Sequence, residues 1–424
     1  SRNIRRAPAR TLALVNVSPV LEQFQAMPDL SFDRVVSFAR DIIRIPSPPG
    51  GEGEVAERVR RELEALGFDD VWTDGVGNVL GRIAGRGEAP AVMLCSHLDA
   101  VDVGDPAGWE YPPFEGVVAE GFLHGRGAMD IKGPLAVQLY AAAHFVEDRP
   151  DGDVVVAFTV FEERGGWGMA HLMESGEVRP GAVILGEATA GDVCIGHRGR
   201  AELVVEVHGV AAHASAPDRA RNPLGALATL VPALEEFAAG LGSDPILGRS
   251  TLAPTRVETF PRSNNVIPEL LRVTVDWRVL PGATADGVLR ELASFLEPRV
   301  RLPEGCRLEV KYGVDHQRAY TGRERERRLF TPGYLIPPDH PVVRAAVEAV
   351  EREMGRRPSL RPWTFATDGG HACGVHGIPT IGFAPGEERY AHTNRERLEL
   401  TSARAVYEAY PAVVRAVQAA AREG

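Results

Sequence analysis

The chain has 424 residues, too many for a single ordinary hydrophobic core, so two domains are the first expectation. Its 44% hydrophobic and 25% charged residues are typical of a globular protein in water. The 58 acidic against 47 basic residues give a net charge of −11, which disfavours nucleic acid or an anionic membrane as the main partner. No apolar run is long enough to span a membrane.

The cysteines and the N-terminus bear on location. Cys95, Cys194, Cys306 and Cys373 are widely separated and lie mostly in apolar or strand-like surroundings, which favours reduced thiols over a disulfide framework. We therefore expect a cytoplasmic protein. Residues 1–28 predict a flexible, basic N-terminal extension, because the apolar stretch within them is too short and too weak for a secretion signal.

The first strong strand signal is the apolar run at residues 91–95, which follows two predicted amphipathic helices at 31–45 and 54–66. The run predicts a strand buried on both faces. It ends in His97 and Asp99, which lie on the same side of an extended chain because they are two residues apart. A carboxylate beside an imidazole can orient a metal-binding histidine. Taken alone, such a pair is more often an ordinary buried hydrogen bond.

The same combination of an apolar element and a terminal acidic side chain recurs further along the chain. The places are Asp130 at a Gly-rich turn before a helix, Glu162 and Glu163 after the run 153–161, and Glu187 after the run 182–185. Helices separate the strands, as in βαβ units of a parallel sheet, and the carboxyl ends of parallel strands lie at one edge. A histidine surrounded by carboxylates predicts a divalent metal site, most naturally zinc, with cobalt or manganese also possible.

The pattern changes at about residue 198. Apolar and polar residues alternate at 201–208, 271–280 and 307–312, which predicts a mostly antiparallel sheet with one covered face. Two helical patterns accompany these strands. We predict a smaller α+β domain at 198–316, inserted between the parts of a catalytic domain at 29–197 and 317–424. The inserted segment carries three polar residues that, taken singly, can be ordinary turn or surface residues: His213, Asn265 and Arg278.

The last part of the chain returns to α/β character. The charged run at 323–328 is interpreted as a solvent-exposed surface of mixed charge. A Gly-rich segment at 366–377 follows, with His371 and His376 as weaker candidates. His392 then comes shortly after the strand-like piece at 379–383, and a long C-terminal helix follows it.

Together these segments resemble the M20 metallopeptidase family. The motifs SHLDAV, GRGAMDIKG, FEE, GEAT, GVAAHAS, NNVIP, DWR and AHTNRE occur in the order and spacing of that family, over roughly residues 31–420. The family includes acetylornithine deacetylase, succinyl-diaminopimelate desuccinylase, carboxypeptidase G and the dipeptidases. The resemblance implies an α/β catalytic domain of zinc-peptidase type, with a mostly parallel mixed sheet flanked by helices. It also implies a ferredoxin-like α+β insertion that serves as lid and dimerisation domain.

Carried over residue by residue, the resemblance implies a centre of two divalent ions. His97, Asp130 and Glu187 would hold one ion, and Asp130, Glu163 and His392 the other. Asp99 would orient His97, and Glu162 would be the general base for a water between the ions. His213 would reach the active site of the other subunit of a homodimer. The residues similar to substrate-binding positions are Asn265, Arg278, Thr367, Asp368, Gly369 and Gly370.

The expected activity is hydrolysis of the amide bond of an N-acyl amino acid or short peptide with a free carboxylate. Glu187 stands where the family uses Asp or Glu, and the Glu choice leans slightly toward the deacylases. Carboxypeptidase or dipeptidase activity is an open alternative. A non-catalytic metal- or ligand-binding relative is an alternative of another class. Glu162 favours an enzyme, since binding alone needs no base beside the ligands.

Overall fold

The computed structural model describes residues 28–422, so the predicted N-terminal extension lies, apart from its last residue, outside the described range. Within that range, no helix is long and apolar enough to cross a membrane. In chain order the α-helices are α1 (Phe32–Ile43), α2 (Gly53–Ala65), α3 (Lys132–Ala143), α4 (Trp167–Ser175), α5 (Leu227–Gly240), α6 (Ala285–Leu296), α7 (Pro341–Met354) and α8 (Leu400–Ala420).

Two large sheets hold most of the strands. In chain order these strands are β1 (Asp70–Thr73), β2 (Val79–Ile83), β3 (Val92–His97), β4 (Val154–Thr159), β5 (Ala182–Leu185), β6 (Val193–Cys194), β7 (Gly199–His208), β8 (Thr251–Phe260), β9 (Leu270–Val279), β10 (Arg307–Tyr312), β11 (Phe330–Thr331), β12 (Leu360–Arg361) and β13 (Thr380–Gly382). A small three-stranded sheet consists of Phe122–His124 with Val117–Ala119 on one side and Arg397–Glu399 on the other. Four further pairs have two strands each: Gly196–His197 with Tyr334–Leu335, Ala212–His213 with Val266–Ile267, Ser243–Asp244 with Gly248–Arg249, and Val314–Arg318 with Glu324–Arg328.

The central sheet has the strand order β1-β2-β4-β3-β5-β13-β6-β12. Its four inner strands β4, β3, β5 and β13 run parallel, and β1, β2 and β6 pair in antiparallel fashion with their inner neighbours. Every residue of β3 is buried. Val92 and Leu94 pack in a core with α1, α2, α3, α7 and α8, and Met93 and Cys95 pack on the other side against α4. The predicted mixed sheet with helices on both faces is confirmed.

The inner strands end at the same edge of this sheet. In register, His97 lies beside Thr159 of β4, and Cys95 lies beside Leu185 of β5. The chain therefore leaves β3, β4 and β5 at one edge, and the acidic residues that follow these strands are brought together as the pattern predicted.

Four strands of the second sheet lie in the inserted segment, in the order β8-β9-β7-β10. A fifth strand, β11, follows that segment and also pairs with β7, and all these pairings are antiparallel. On β9, Leu271, Val273, Val275 and Trp277 are buried in one core with α5 and α6. The alternate residues of β9 lie on the open face. This confirms the predicted α+β insertion with two helices on one face of an antiparallel sheet, whereas the domain boundaries at 197/198 and 316/317 stay predictions.

Candidate active site

His97 ends β3 in a fully buried position. Its Nδ1 lies 2.8 Å from the carbonyl oxygen of Asp99. A carbonyl only accepts hydrogen bonds, so Nδ1 carries a proton and Nε2 is the ring nitrogen available to a metal ion. Nε2 faces two carboxylates, at 3.3 Å from Asp130 Oδ1 and 3.7 Å from Glu187 Oε1. These three residues form the first candidate metal group.

Asp130 also belongs to a second group. Its other oxygen, Oδ2, lies 3.2 Å from Nε2 of His392, and Glu163 Oε2 lies 3.0 Å from the same nitrogen. In each group the candidate ligand atoms all lie within 4.8 Å of one another. Imidazole nitrogens and carboxylate oxygens suit zinc and also manganese or cobalt. The residues present therefore fit two divalent ions that share Asp130.

Charge in the cluster favours a cation among the carboxylates. Burial, followed by neighbouring acidic groups, raises the pKa of Glu163 and holds that of Glu187 well above its usual range. Burial also acts to raise the pKa of Asp130, but hydrogen bonds with His392 and His97 outweigh it and lower that pKa. Hydrogen bonds to Asp130 and Glu163 raise the pKa of His392 to about 10. A positive charge between these groups relieves the repulsion that raises the carboxyl pKa values.

Glu162 and Glu163 are positioned by Asp99. The fully buried Asp99 carboxylate accepts hydrogen bonds from the backbone N–H groups of Glu162 at 3.1 Å and Glu163 at 3.0 Å. It thereby joins the end of β3 to the turn after β4. Its Oδ1 is 3.5 Å from His97 Nδ1, farther than its own carbonyl oxygen. Asp99 therefore holds the His97 ring through its main-chain carbonyl oxygen, which is closer to Nδ1 than its carboxylate is.

The cluster opens into a cavity of about 560 Å³. Two sets of charged side chains line the cavity: an acidic set, which we call the acidic end, and a set made mainly of arginines, which we call the basic end. The acidic residues on the wall are Asp130, Glu162, Glu163, Glu187 and Asp315, and the basic ones are Arg164, Arg200, Arg278, Arg327, His371 and His392. Arg200 and Arg278 face each other on β7 and β9 of the inserted sheet, whereas Arg164 follows β4 and Arg327 lies on the strand Glu324–Arg328.

A family model described as peptidase family M20/M25/M40 matches residues 93–416. The chain belongs to this family. It is 33% identical to the uncharacterized protein YgeY of Escherichia coli K12 over 382 residues, covering 88% of this chain and 93% of that protein. It is 32% identical to a succinyl-diaminopimelate desuccinylase of Cereibacter sphaeroides over 335 residues, covering 76% of this chain and 83% of that enzyme.

Among solved structures, the chain shares its fold with Bacillus subtilis YxeP, described as a dinuclear metal-binding peptidase of the M20 family. The TM-score is 0.67 at 17% identity, over 92% of this chain and 98% of the other. As a member of the M20 family, the protein is a metal-dependent hydrolase.

Several predicted M20 residues meet in this cavity, and others do not. His97 lies at the cavity's buried end, whereas the wall carries Asp130, Glu162, Glu163, Glu187, Arg278, Thr367 and His392. Among those that do not, His213 and Asn265 are exposed and are absent from the wall. They are close to each other, because Ala214 N–H donates to the Asn265 carbonyl at 2.9 Å.

The predicted substrate-contacting loop reaches the cavity only through Thr367. Asp368 is buried behind the wall, where its Oδ2 accepts a hydrogen bond from Thr159 Oγ1 at 2.7 Å. Gly369 packs on the ring of Tyr334, and a Cβ at Gly370 would meet the carbonyl oxygen of Pro332 at 2.1 Å. The last three residues of this loop therefore have structural contacts rather than positions on the cavity wall.

The interpretation of residues 323–328 as a solvent-exposed surface was partly wrong. Glu324–Arg328 is a strand paired with Val314–Arg318, and its residues alternate in exposure. Arg325 lies 4.7 Å from the ring centre of Trp167, and Arg327 lines the cavity. The sequence contained the signal, since charges alternating R-E-R-E-R have the period of a strand.

Glu396 was missed as well. It is 1% exposed, and its Oε1 accepts hydrogen bonds from the backbone N–H groups of Met129 and Asp130, both at 3.0 Å. Its other oxygen pairs with Arg126. Glu396 thus joins the loop of His392 to that of Asp130. Its place four residues after His392 in AHTNRE was the available signal.

A third group of possible ligands, on the open face of the inserted sheet, has a different character. Glu206 lies with His208 and Glu309, but Arg272 and Lys311 each pair with Glu206 at 2.8 Å. Cationic side chains already compensate its charge, so this group is an ion-pair network.

Proposed function

We propose that this M20 hydrolase cleaves the amide bond of an N-acyl amino acid or short peptide that carries a free carboxylate. The observation that carries the proposal is the pair of ligand groups sharing Asp130, with Glu162 on the wall of the same cavity. Arg278 at the other end supplies the positive charge that a substrate carboxylate needs.

Two divalent ions, with zinc as first choice and cobalt or manganese as alternatives, would be held by the two groups that share Asp130. When bound, such ions would polarise an amide carbonyl and lower the pKa of a water molecule. The Glu162 carboxylate accepts the proton of the attacking water and passes it to the departing amine nitrogen as the C–N bond breaks.

The placement of His213 and Asn265 supports a homodimer. Both are exposed, lie together and are absent from the wall of their own chain's cavity. We propose that His213 acts in the cavity of a second copy of the chain, where its imidazole stabilises the oxyanion of the tetrahedral intermediate. Asn265, its neighbour, would reach the substrate carboxylate in the same cavity. We keep the cytoplasmic location as a prediction.

Carboxypeptidase or dipeptidase activity is the second candidate, supported by the peptidase description of the structural neighbour YxeP. The desuccinylase relative supports acyl-group removal instead. A non-catalytic binding protein, the alternative of another class, is not supported, because the chain belongs to a hydrolase family and carries Glu162 in the cavity.

The test is hydrolysis of an amide panel by zinc- or cobalt-loaded protein, with metal counted in parallel. The panel holds N-acetyl-ornithine, N-succinyl-diaminopimelate, N-acyl aliphatic and aromatic amino acids, and dipeptides. We expect about two metal ions per chain and turnover of one of these classes. Two ions without turnover of any member would contradict the proposed substrate class, and absence of metal binding would contradict the proposed centre.

A further inference from the structure

Arg327 is an unpaired cation on the cavity wall. Its Nη2 donates hydrogen bonds to the Phe330 carbonyl at 2.9 Å and Thr331 Oγ1 at 2.7 Å. Within residues 28–422, no carboxylate lies within ion-pair distance of it, and no residue accepts a hydrogen bond from its Nε or Nη1. Burial lowers the pKa of Arg327 to about 10, so the side chain is still charged at neutral pH.

The other arginines of the wall already have carboxylate partners. Arg200 Nε and Arg278 Nε donate to the two oxygens of Asp276, at 2.7 Å and 2.8 Å. Arg164 Nε donates to Asp315 at 3.0 Å. Arg200 Nη2 also pairs with Glu202 at 3.2 Å, so Asp276 and Glu202 together compensate the charges of Arg200 and Arg278. Within residues 28–422, the Nη atoms of Arg278 donate no hydrogen bond and can reach a substrate carboxylate, whereas Arg327 is the one arginine of the wall without a carboxylate partner.

Arg327 is also held close to the catalytic residues. Its guanidinium lies against Gly165, two residues after Glu163, so that a Cβ at Gly165 would come within 2.0 Å of Arg327 Cζ. Gly165 has a φ of +92°, a conformation that other residues rarely adopt. The close approach of the guanidinium to this backbone fixes its charge beside the turn that carries Glu162 and Glu163.

Partial burial of a cation without an anionic partner is unfavourable, and a bound anion removes that penalty. We propose that Arg327 binds a second carboxylate of the substrate, so that the enzyme prefers dicarboxylates in which one acid group reaches Arg278 and the other reaches Arg327. This inference rests on the proposed function. The second carboxylate can come from the acyl group or from the side chain of the amino acid.

Two pairs of substrates of nearly equal shape separate these sources. N-succinyl-alanine and N-succinamoyl-alanine differ in charge on the acyl group, and N-acetyl-glutamate and N-acetyl-glutamine differ in charge on the side chain. We expect wild-type kcat/KM to favour the charged member of one pair by about tenfold to a hundredfold, the usual effect of a charged hydrogen bond. In Arg327→Gln this preference should disappear, mainly because kcat/KM for the charged substrate falls.

Two further variants control for effects on the hairpin. Arg327→Lys keeps the charge and should keep part of the preference. Arg325 lies on the same strand, but its side chain contacts Trp167 and is not part of the cavity wall. Arg325→Gln should therefore leave the preference intact. Equal losses for both members of a pair in Arg327→Gln, or no preference in the wild type, would overturn the inference.

Binding measurements separate this inference from the proposed function. If neither these four nor any member of the amide panel is hydrolysed, the proposed function is contradicted. Calorimetric binding of the charged members in preference to the uncharged ones, lost in Arg327→Gln, would then still support Arg327 as an anion site. Equal binding of charged and uncharged members would contradict the role of Arg327 as an anion site as well.

Discussion

In the central sheet, helices cover both faces of the inner strands, whereas the inserted sheet has helices on one face only. This difference decides what each sheet can contribute to the cavity. A strand buried on both faces can present polar groups only at its end, and β3, β4 and β5 do so with the candidate metal ligands. An open sheet face presents them along the strands, as Arg200 and Arg278 do. His97, Glu163 and Glu187 thus come from strand ends, whereas Arg200 and Arg278 come from a sheet face.

The largest effect should follow from Glu162→Ala at the acidic end. We expect kcat to fall by about a hundredfold to ten-thousandfold, since a positioned general base contributes that much. Metal content should stay at the wild-type value because Glu162 belongs to neither ligand group. Kinetics and metal analysis of the same preparation check both. Substantial remaining activity would show that another group is the base.

His213→Ala tests whether the inserted segment acts across a dimer. Loss of an oxyanion-stabilising group typically lowers kcat by about a hundredfold to a thousandfold, and metal content should not change. When His213→Ala and Glu162→Ala proteins are mixed and exchange subunits, about a quarter of wild-type activity should return, since half of the dimers then contain one complete site. No recovery after demonstrated exchange would exclude action in the other subunit's cavity.

Arg278→Gln should separate substrate binding from metal binding. We expect kcat/KM to fall by about tenfold to a hundredfold because a charged hydrogen bond to the substrate carboxylate is lost. Metal affinity should stay unchanged, since Arg278 belongs to neither ligand group. Arg272→Gln, on the same strand, is the matched control. A loss of metal from Arg278→Gln would contradict the division into two ends.

Glu396→Gln should change metal affinity without touching the base or the substrate contacts. The substitution keeps the acceptor for the Met129 and Asp130 N–H groups but removes the charge that pairs with Arg126. Loss of a group that supports a ligand typically weakens metal binding by about tenfold to a hundredfold. Competition with a chelator measures the metal affinity of both proteins. Unchanged affinity would show that Glu396 serves the fold alone.

The acidic end could be predicted from the sequence because its signals are local. His97, Glu162 and Glu187 each follow an apolar run, and parallel strands then bring their ends together. The finer contacts of Asp99 could not be predicted, since its carboxylate binds backbone groups more than sixty positions away.

The basic end was harder to predict. The place of Arg327 depends on the pairing of Val314–Arg318 with Glu324–Arg328 and on contact with Gly165, far away in the chain. Asp368, Gly369 and Gly370 have the composition of a ligand-binding loop, yet neighbours such as Thr159 and Tyr334 enclose them. Composition does not reveal which face of a loop the rest of the fold will cover.

Metal stoichiometry in Asp130→Ala tests the central claim most directly, because Asp130 is the residue common to both ligand groups. Wild type and Glu162→Ala should each bind about two ions per chain, and Asp130→Ala should lose tight binding of both. Circular dichroism of each protein confirms that the fold is intact. Retention of two tightly bound ions by folded Asp130→Ala would contradict a shared centre.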